Sequence, residues 1–325
     1  MNHLAPLAPL ALLLATAPLH AQIELKQSDE RLRVEIDGKL FTEYRTDRKV
    51  PCLYPVIGSS GQGLTRNFPL TKATDGEQKD HPHHVSLWFT HGLVNGVDFW
   101  AQHLKRKGRI VHKGFGTNST GSKNVDGVRT DTASFSVELS WEEGDTVHLK
   151  EQRTYTITAR GNTRFIDMES ILTSPNGDAL FGDTKEGTAA IRVAPTLRTK
   201  GPVAKGAILN SNGERDGKAW GKRAAWVAYS GPDASGEPVV VAMFDHPSNL
   251  RHPTWWHARD YGLLAANPFG QHDFEGKKDA HLGDHTLKHG DSLTFRYRIM
   301  LHTGDHESAD LPSEWKIYST TGSGR

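Results

Sequence analysis

The fold class is indicated most clearly by Leu32-Arg33-Val34-Glu35-Ile36-Asp37-Gly38-Lys39-Leu40-Phe41-Thr42-Glu43-Tyr44. Two runs of alternating apolar and polar residues flank Asp37-Gly38, and Asp-Gly is a strong signal for a two-residue hairpin turn. Apolar residues at every second position predict strands with one buried face. The stretch therefore predicts an antiparallel β-hairpin.

The same pattern recurs along the rest of the chain. Further strands are predicted over 134–141, 147–150, 155–158, 165–171 and 293–301. The segment 238–244 is nearly all apolar, which is typical of a strand buried on both faces. Almost no amphipathic helical period is found. Many strands separated by turn residues predict an all-β fold, and the chain length favours a large two-sheet antiparallel β-sandwich.

Composition excludes some classes of function. The 325 residues include 39 basic and 38 acidic residues, for a net charge of +1. A nucleic-acid-binding protein would carry a basic surface, so no nucleic-acid partner is predicted. The single cysteine, Cys52, rules out an intramolecular disulfide, and we expect it to be a small buried apolar side chain.

The first 21 residues are apolar and end near Leu19-His20-Ala21, which predicts a secretory signal peptide cleaved after Ala21. This stretch is short for a membrane span, and no later segment reaches that length. We therefore expect a periplasmic or secreted protein without a membrane span. Residues 22–325 are predicted to form a single β-sandwich domain. The sequence does not indicate an oligomeric state.

The first of three polar clusters is Asp80-His81-Pro82-His83-His84-Val85-Ser86-Leu87-Trp88-Phe89-Thr90-His91-Gly92. On a strand, His84, Ser86 and Trp88 share one face, opposite a face of core residues. Tryptophan stacks on the apolar face of a sugar ring, and histidines bind its hydroxyl groups. The cluster therefore predicts a carbohydrate ligand, although an ordinary structural role is the alternative for each single histidine.

The second cluster, over 182–193, contains a candidate general base. Alternation puts Glu186 on the same face as Arg192, with small residues between them. Burial and the neighbouring cations would set the pKa of Glu186. A solvated ion pair of Glu186 with Lys185 or Arg192 is the alternative.

The third cluster covers 245–262 and continues to 267–270. If the chain is extended there, His257, Arg259 and Tyr261 point to one side. Arginine and asparagine bind carboxylates or sugar hydroxyls, and histidine moves protons. A loop whose polar groups bind one another is the alternative. The long loops at 59–83 and 245–260 are more often functional than incidental.

Together the clusters predict an exported carbohydrate-active enzyme, an epimerase, lyase or hydrolase, that works by acid/base chemistry. Glu186 is the predicted base, and His84 or His257 is the predicted acid. The predicted substrate-binding residues are Arg66, His83, Trp88, Lys185, Arg192, Asn249, Arg251, Trp256, Arg259 and Tyr261. Hydrolysis would require a second carboxylate, for which Asp183, Asp245 and Asp260 are candidates.

Two alternatives stay open. A non-catalytic glycan-binding module needs the aromatic residues and arginines but no acid/base pair. A metal-dependent oxidoreductase needs histidine ligands from His81, His83 and His84, with His257 or Glu186. The spacing matches no zinc-protease motif, and neither a phosphate loop nor a dinucleotide motif is found. No cofactor is therefore predicted, with a divalent metal as the alternative.

Several segments resemble the motifs of a known family. They are Asp80-His81-Pro82-His83-His84-Val85-Ser86-Leu87-Trp88-Phe89, Gly182-Asp183-Thr184-Lys185-Glu186-Gly187, Phe244-Asp245-His246-Pro247-Ser248-Asn249, Arg251-His252-Pro253 and Trp256-His257-Ala258-Arg259-Asp260-Tyr261-Gly262. The family consists of exported bacterial proteins labelled "PmoA family", a domain of unknown function. The label suggests a methane monooxygenase subunit, but that subunit is an integral membrane protein. The resemblance implies no activity and no catalytic residues.

The residue types and the chain length are also similar, more loosely, to the galactose-mutarotase-like supersandwich proteins. Proteins of that fold carry His and Glu acid/base residues over a sugar on a concave sheet. No mutarotase motif matches residue by residue. The likeness implies a fold, not a function.

Overall fold

The computed structural model of the protein describes residues 22–100, 105–125 and 127–321. Two antiparallel eight-stranded sheets share one buried core, which confirms the predicted two-sheet β-sandwich. The predicted signal peptide, residues 1–21, lies outside the described residues. Cys52 is fully buried, as expected.

Both eight-stranded sheets combine strands from distant parts of the chain. From one edge to the other, the first sheet contains β1 (Ile23–Gln27), β2 (Arg31–Ile36), β3 (Lys39–Arg45), β4 (Cys52–Val56), β5 (Leu87–His91), β11 (Gly187–Arg192), β16 (Leu263–Asn267) and β15 (Trp255–Ala258). In the same sense, the second contains β12 (Ala207–Asn210), β13 (Trp226–Pro232), β14 (Pro238–Asp245), β18 (Ser292–Thr303), β9 (Thr163–Thr173), β8 (Thr146–Arg160), β7 (Val128–Glu143) and β6 (Arg109–Val125). A separate pair joins β10 (Ala179–Phe181) to β17 (His285–Leu287). The α-helices are α1 (Gln271–Glu275), α2 (His306–Ala309) and α3 (Leu311–Ser319).

The predicted hairpin is present as β2 and β3. Its two turn residues, Asp37 and Gly38, have φ values of 54° and 70°. Positive φ at both central positions is the geometry that Asp-Gly favours in two-residue hairpins. The turn fixes the register in which Ile36 pairs with Lys39.

Strand β14 is buried on both faces, as its apolar run predicts. On one face, Val241 belongs to the core between the sheets. On the other face, Phe244 packs in a second apolar cluster with Leu311 and Tyr318 of α3. The sequence pattern predicted almost no helix, and this prediction misses α3. The helix has only nine residues, two of them buried, so its apolar period is too short to recognise.

A buried ion pair connects the two sheets. Arg153 of β8 donates to both carboxylate oxygens of Glu151, over 2.6 and 2.9 Å, and both side chains are fully buried. Arg153 also donates to the backbone carbonyl of Phe89 on β5, and Trp141 donates to Glu151 over 2.7 Å. Buried charges require such complete pairing. The ion pair therefore holds β5 against the second sheet.

Irregular segments cover the outer face of the first sheet. The loop predicted at 59–83 contains no strand or helix. The second predicted loop, 245–260, is interrupted by β15. Across the described part of the chain, no helix combines the length and the apolar character needed to cross a membrane.

Candidate functional site

The polar clusters meet on the outer face of the first sheet. Phe89 marks the inner face, because its ring packs against aromatic rings of β7 and β18. Its neighbour Trp88 therefore points to the outer face. Ala190 of β11, Ala265 of β16 and His257 of β15 follow Trp88 in register across the sheet. The floor of the candidate site thus consists of two alanines between Trp88 and His257.

Asp80 joins the first cluster to the second. One of its carboxylate oxygens accepts hydrogen bonds from Arg66 over 2.6 Å and from Arg192 over 2.8 Å. Arg66 also donates to four backbone carbonyls between Gln78 and His84. Burial lowers the pKa of both guanidinium groups, that of Arg66 to about 10. Arg66 therefore holds the loop in place rather than facing a ligand.

His84 lies in the interior of the site. The residue is 1% exposed, and its Nδ1 accepts a hydrogen bond from Arg192 over 3.0 Å. The ring is stacked between those of His81 and Trp88, with centroid distances of 4.8 and 5.3 Å. Burial holds the pKa of His84 far below its usual range. His84 is therefore neutral and covered, which argues against its predicted role as the acid.

The loop that carries Glu186 is held by backbone hydrogen bonds from several elements. The amide of Lys185 donates to Asp273 of α1 over 2.9 Å, and its carbonyl accepts from His257 over 3.1 Å. The carbonyl of Glu186 accepts from the amide of Gly92 over 2.6 Å. A loop fixed from several sides holds its side chains in a defined geometry before any ligand arrives.

Gly92 allows the close approach of this loop to the end of β5. A Cβ atom at position 92 would lie 2.7 Å from the carbonyl oxygen of Glu186 and 2.9 Å from its Cβ. Any larger residue would therefore push Glu186 away. The Glu186 side chain is 31% exposed, and the Lys185 ammonium lies 3.9 Å from its carboxylate. The same ammonium lies 3.9 Å from the carboxylate of Asp273.

His257 occupies the floor beside this loop. It is 4% exposed, and burial is the main cause that lowers its pKa to about 4. Because the Lys185 carbonyl can only accept, Nδ1 of His257 carries the proton and Nε2 carries a lone pair. Neutral His257 is therefore suited to accept a proton or a hydrogen bond, and not to act as an acid.

Tyr261 and Arg259 form one wall of the site. The Tyr261 ring stacks on His81 at a centroid distance of 5.1 Å, and burial raises the pKa of its hydroxyl. The guanidinium groups of Arg192 and Arg259 lie 4.6 and 5.5 Å from the centre of that ring. Arg259 also lies 6.0 Å from the ring centre of Trp220. A neutral phenol thus stands between two cations at the edge of the site.

A family model described as "Family of unknown function (DUF6807)" matches residues 31–316. The chain belongs to this family. The "PmoA" label suggested by the sequence motifs stays a prediction.

Two solved structures show a distant likeness to the DUF6807 chain. One is the galactosidase domain of the alpha-galactosidase-sucrose kinase AgaSK, at 10% identity and a TM-score of 0.39. The alignment covers 87% of this chain and 41% of that chain, so the DUF6807 chain spans about two fifths of its length. The other is a galactose mutarotase related enzyme from Lactobacillus acidophilus, at 9% identity and a TM-score of 0.17. The alignment covers 88% of this chain and 99% of that chain.

These likenesses carry no argument about activity, because both TM-scores are below 0.5. No curated protein matches the DUF6807 chain.

The structure brings most of the predicted site residues together. Those on or directly around the outer face are His83, His84, Trp88, Lys185, Glu186, Arg192, His257, Arg259 and Tyr261. Not all of them are accessible. Trp88 is 1% exposed, because His84 and Trp100 cover its ring. It forms the floor and is not a stacking surface in this structure.

Trp256 is not on the site face. It pairs with Ala266 on the inner face of the sheet and is fully buried in the core. Its indole N–H donates to the carbonyl of Ala224 over 2.8 Å. The predicted stacking role of Trp256 is therefore replaced by a packing role.

Asn249 and Arg251 bind groups of the protein itself. Asn249 donates to Asp245 over 2.8 Å and to the carbonyl of Arg296 over 2.7 Å. Arg251 donates to the backbone carbonyls of Pro268, Gly283 and Asp284. Both side chains hold loops together, which agrees with the alternative of a loop whose polar groups bind one another.

Two of the three candidate second carboxylates are engaged in similar structural bonds. Asp183 accepts from the backbone amides of His272 and Gly283, over 2.9 and 2.6 Å. Asp245 is fully buried and accepts from His252, Asn249 and the amide of Thr254. Neither carboxylate is available for hydrolysis in this arrangement. Asp260 is half-buried.

Three residues of the site were not selected from the sequence: Asp80, Trp220 and Asp273. Asp80 belongs to the first cluster, but its proximity to two arginines is not visible in the sequence. Trp220 follows a single 3₁₀ turn, Asp216–Ala219, outside the three clusters that the sequence analysis selected. Asp273 lies on the short helix α1. Tertiary structure alone brings these residues to the site.

Among the described residues, no group of three or more His, Cys, Asp or Glu side chains is placed to hold a metal ion. The histidines of the first cluster are arranged differently. His81, His83 and His84 stack on one another or meet edge to face. Nδ1 of His81 binds the Asp80 carboxylate, and Nδ1 of His84 binds the Arg192 guanidinium.

Proposed function

We propose that the protein is a carbohydrate-active enzyme that uses acid/base chemistry on a sugar. The supporting observation is the convergence of Glu186, His257 and Tyr261 at one half-buried site on the outer face of the first sheet. Trp220 and Arg259 stand beside them and supply an apolar surface and a hydrogen-bond donor. Aromatic rings combined with a few polar groups are typical of sugar-binding sites.

In this proposal Glu186 is the base, and Tyr261 replaces the histidines as the acid. Burial is the main influence on the pKa of the Tyr261 hydroxyl, and together with the neighbouring charges it leaves that pKa raised. Tyr261 therefore keeps its proton at neutral pH. A neutral hydroxyl can donate a proton or a hydrogen bond to a sugar oxygen. His257 accepts a hydrogen bond through Nε2 and assists the base.

The test is a product screen by mass spectrometry with the full chain and a panel of neutral and acidic saccharides. Glu186→Gln removes the base and keeps the shape of the side chain, so turnover should fall by at least ~100-fold. Glu275→Gln is the matched control, because Glu275 is an exposed carboxylate on nearby α1. Both variants should unfold at the wild-type temperature.

Full turnover by Glu186→Gln contradicts the assignment of the base. Saturable saccharide binding without product from any variant contradicts the enzyme and supports the glycan-binding module instead.

A further inference from the structure

We infer that the saccharide bound at this site carries an anionic group, and that Arg259 binds that group. This inference rests on the proposed function and specifies its substrate class. It is carried by an imbalance of charge at the site and by the position of the Arg259 guanidinium.

The imbalance begins in the buried part of the site. Arg66 and Arg192 are 2% and 1% exposed, and both bind the same oxygen of Asp80. One carboxylate neutralises only one of the two guanidinium groups. His84, which accepts from Arg192, is neutral and adds no negative charge. The buried group therefore binds one carboxylate for two guanidinium groups, and Glu77 adds a further attraction on Arg66 without a direct bond.

The accessible part of the site contains equal numbers of described cations and anions. Arg259 and Lys185 contribute two cations, and Glu186 and Asp273 contribute two anions. Lys185 lies 3.9 Å from both carboxylates and so serves the two anions at once. Since Lys185 is shared by these two carboxylates, Arg259 is the accessible cation left for an anionic ligand.

Arg259 is placed to bind that ligand. No described carboxylate lies within 4.0 Å of its guanidinium group, and its side chain donates no hydrogen bond to the described residues. The group is instead held against two aromatic rings, those of Trp220 and Tyr261. Stacking fixes the plane of a guanidinium and leaves its N–H groups for another partner. The planar N–H groups match a carboxylate or a sulfate in a bidentate geometry.

The rings beside Arg259 indicate the rest of the ligand. Trp220 is partly exposed and offers an apolar surface for a pyranose ring, whereas the Tyr261 ring is already covered by His81 and Arg192. A pyranose with a carboxylate, a uronate, would place its anion on Arg259 and its ring against Trp220. A sulfated sugar shares this chemistry, so the test must separate the two.

The experiment measures binding to the full chain by titration calorimetry. Galacturonate, glucuronate and mannuronate are compared with galactose, glucose and mannose, and galactose 6-sulfate provides the sulfate arm. We expect the anionic sugar to bind about tenfold or more tightly than its neutral counterpart, and the preference to shrink with added salt. Tighter binding of galactose 6-sulfate than of any uronate identifies a sulfate ester as the anion.

Arg259→Gln should abolish this preference and leave weak binding of the neutral sugar. Arg259→Lys keeps the charge without the planar geometry and should retain part of the preference. Lys218→Gln is the control: it removes one positive charge from the exposed loop that precedes Trp220 and should leave the preference unchanged.

Neutral sugars that bind as tightly as anionic ones overturn the inference while the proposed function stands. An unchanged preference in Arg259→Gln overturns the role of Arg259. Binding of no saccharide at all overturns both the inference and the proposed function.

Discussion

His257 donates a hydrogen bond from Nδ1 to the backbone carbonyl of Lys185 over 3.1 Å. This bond joins a floor residue of the first sheet to the loop that carries the proposed base. It also decides which nitrogen of His257 carries the proton. The bond therefore sets the protonation of His257 and is one of the contacts that hold the loop of Glu186 in place.

The first prediction concerns pH. Burial lowers the pKa of folded His257 to about 4, whereas an unfolded histidine titrates near ~6.5. The unfolded chain thus takes up the proton first, so stability from His257 is complete above about pH 6.5 and is lost towards about pH 4. Through His257, the wild type should lose about 2 kcal/mol of its free energy of unfolding between about pH 7 and pH 5. His257→Asn should not show this loss in urea unfolding. A variant with the full wild-type pH dependence would contradict this.

The second prediction concerns Gly92. Gly92→Ala places a methyl group against the backbone and Cβ of Glu186, so the loop must shift. A shift of about 1 Å in a catalytic group costs on the order of 100-fold in turnover. Steady-state kinetics measures this loss. Gly114→Ala is the control, because a Cβ atom there meets no atom within 4 Å. Equal turnover of both variants would show that the loop tolerates the methyl group.

The third prediction concerns the shared carboxylate. Asp80→Asn removes the carboxylate that Arg66 and Arg192 both bind, while both stay buried. Breaking a buried ion pair from one side is strongly destabilising, and we expect a loss of about 3 kcal/mol in the free energy of unfolding. Chemical denaturation measures it. Asp75→Asn, in the same loop but exposed, should change stability by less than about 0.5 kcal/mol. A similar effect of both changes would mean that the charge pairing is unimportant.

The fourth prediction separates two tryptophans. Trp256→Leu should reduce stability by about 3 kcal/mol, because Trp256 is fully buried, and should leave saccharide affinity unchanged. Trp220→Leu keeps apolar volume but removes the aromatic surface beside Arg259, so saccharide affinity should fall about tenfold. Thermal unfolding and calorimetry are measured on both variants. The reverse pattern would restore Trp256 as the stacking residue.

Much of the fold could be predicted because its signals are local. Asp37-Gly38 predicts its turn from two neighbouring residues. Alternation of apolar and polar residues over β7, β8 and β9 predicts which positions are buried. Helix α3 carries no comparable signal in nine residues, although it explains why β14 is apolar on both faces. The apolar run predicted that β14 would be covered, and only the structure shows what covers it.

The candidate site could be predicted in its chemistry but not in its geometry. Trp255 and Trp256 are neighbours on a strand, so they point to opposite faces. Pairing with β16 decides which face each one takes, and that register is not visible in the sequence. The same holds for His84, which is hydrogen-bonded to Arg192, 108 residues away along the chain. Residue types follow from the sequence, and accessibility follows from long-range pairing.

The loop at Lys185 also has a consequence for folding kinetics. Its bonds reach His257 and Asp273, which are 72 and 88 residues away along the chain. Contacts of such large sequence separation form late, because the entropy of closing long loops opposes them until the rest of the chain is in place. On refolding, strand content should return before saccharide binding does. Binding of the proposed saccharide should therefore report the fully closed sandwich, which a fragment without 255–275 could not form.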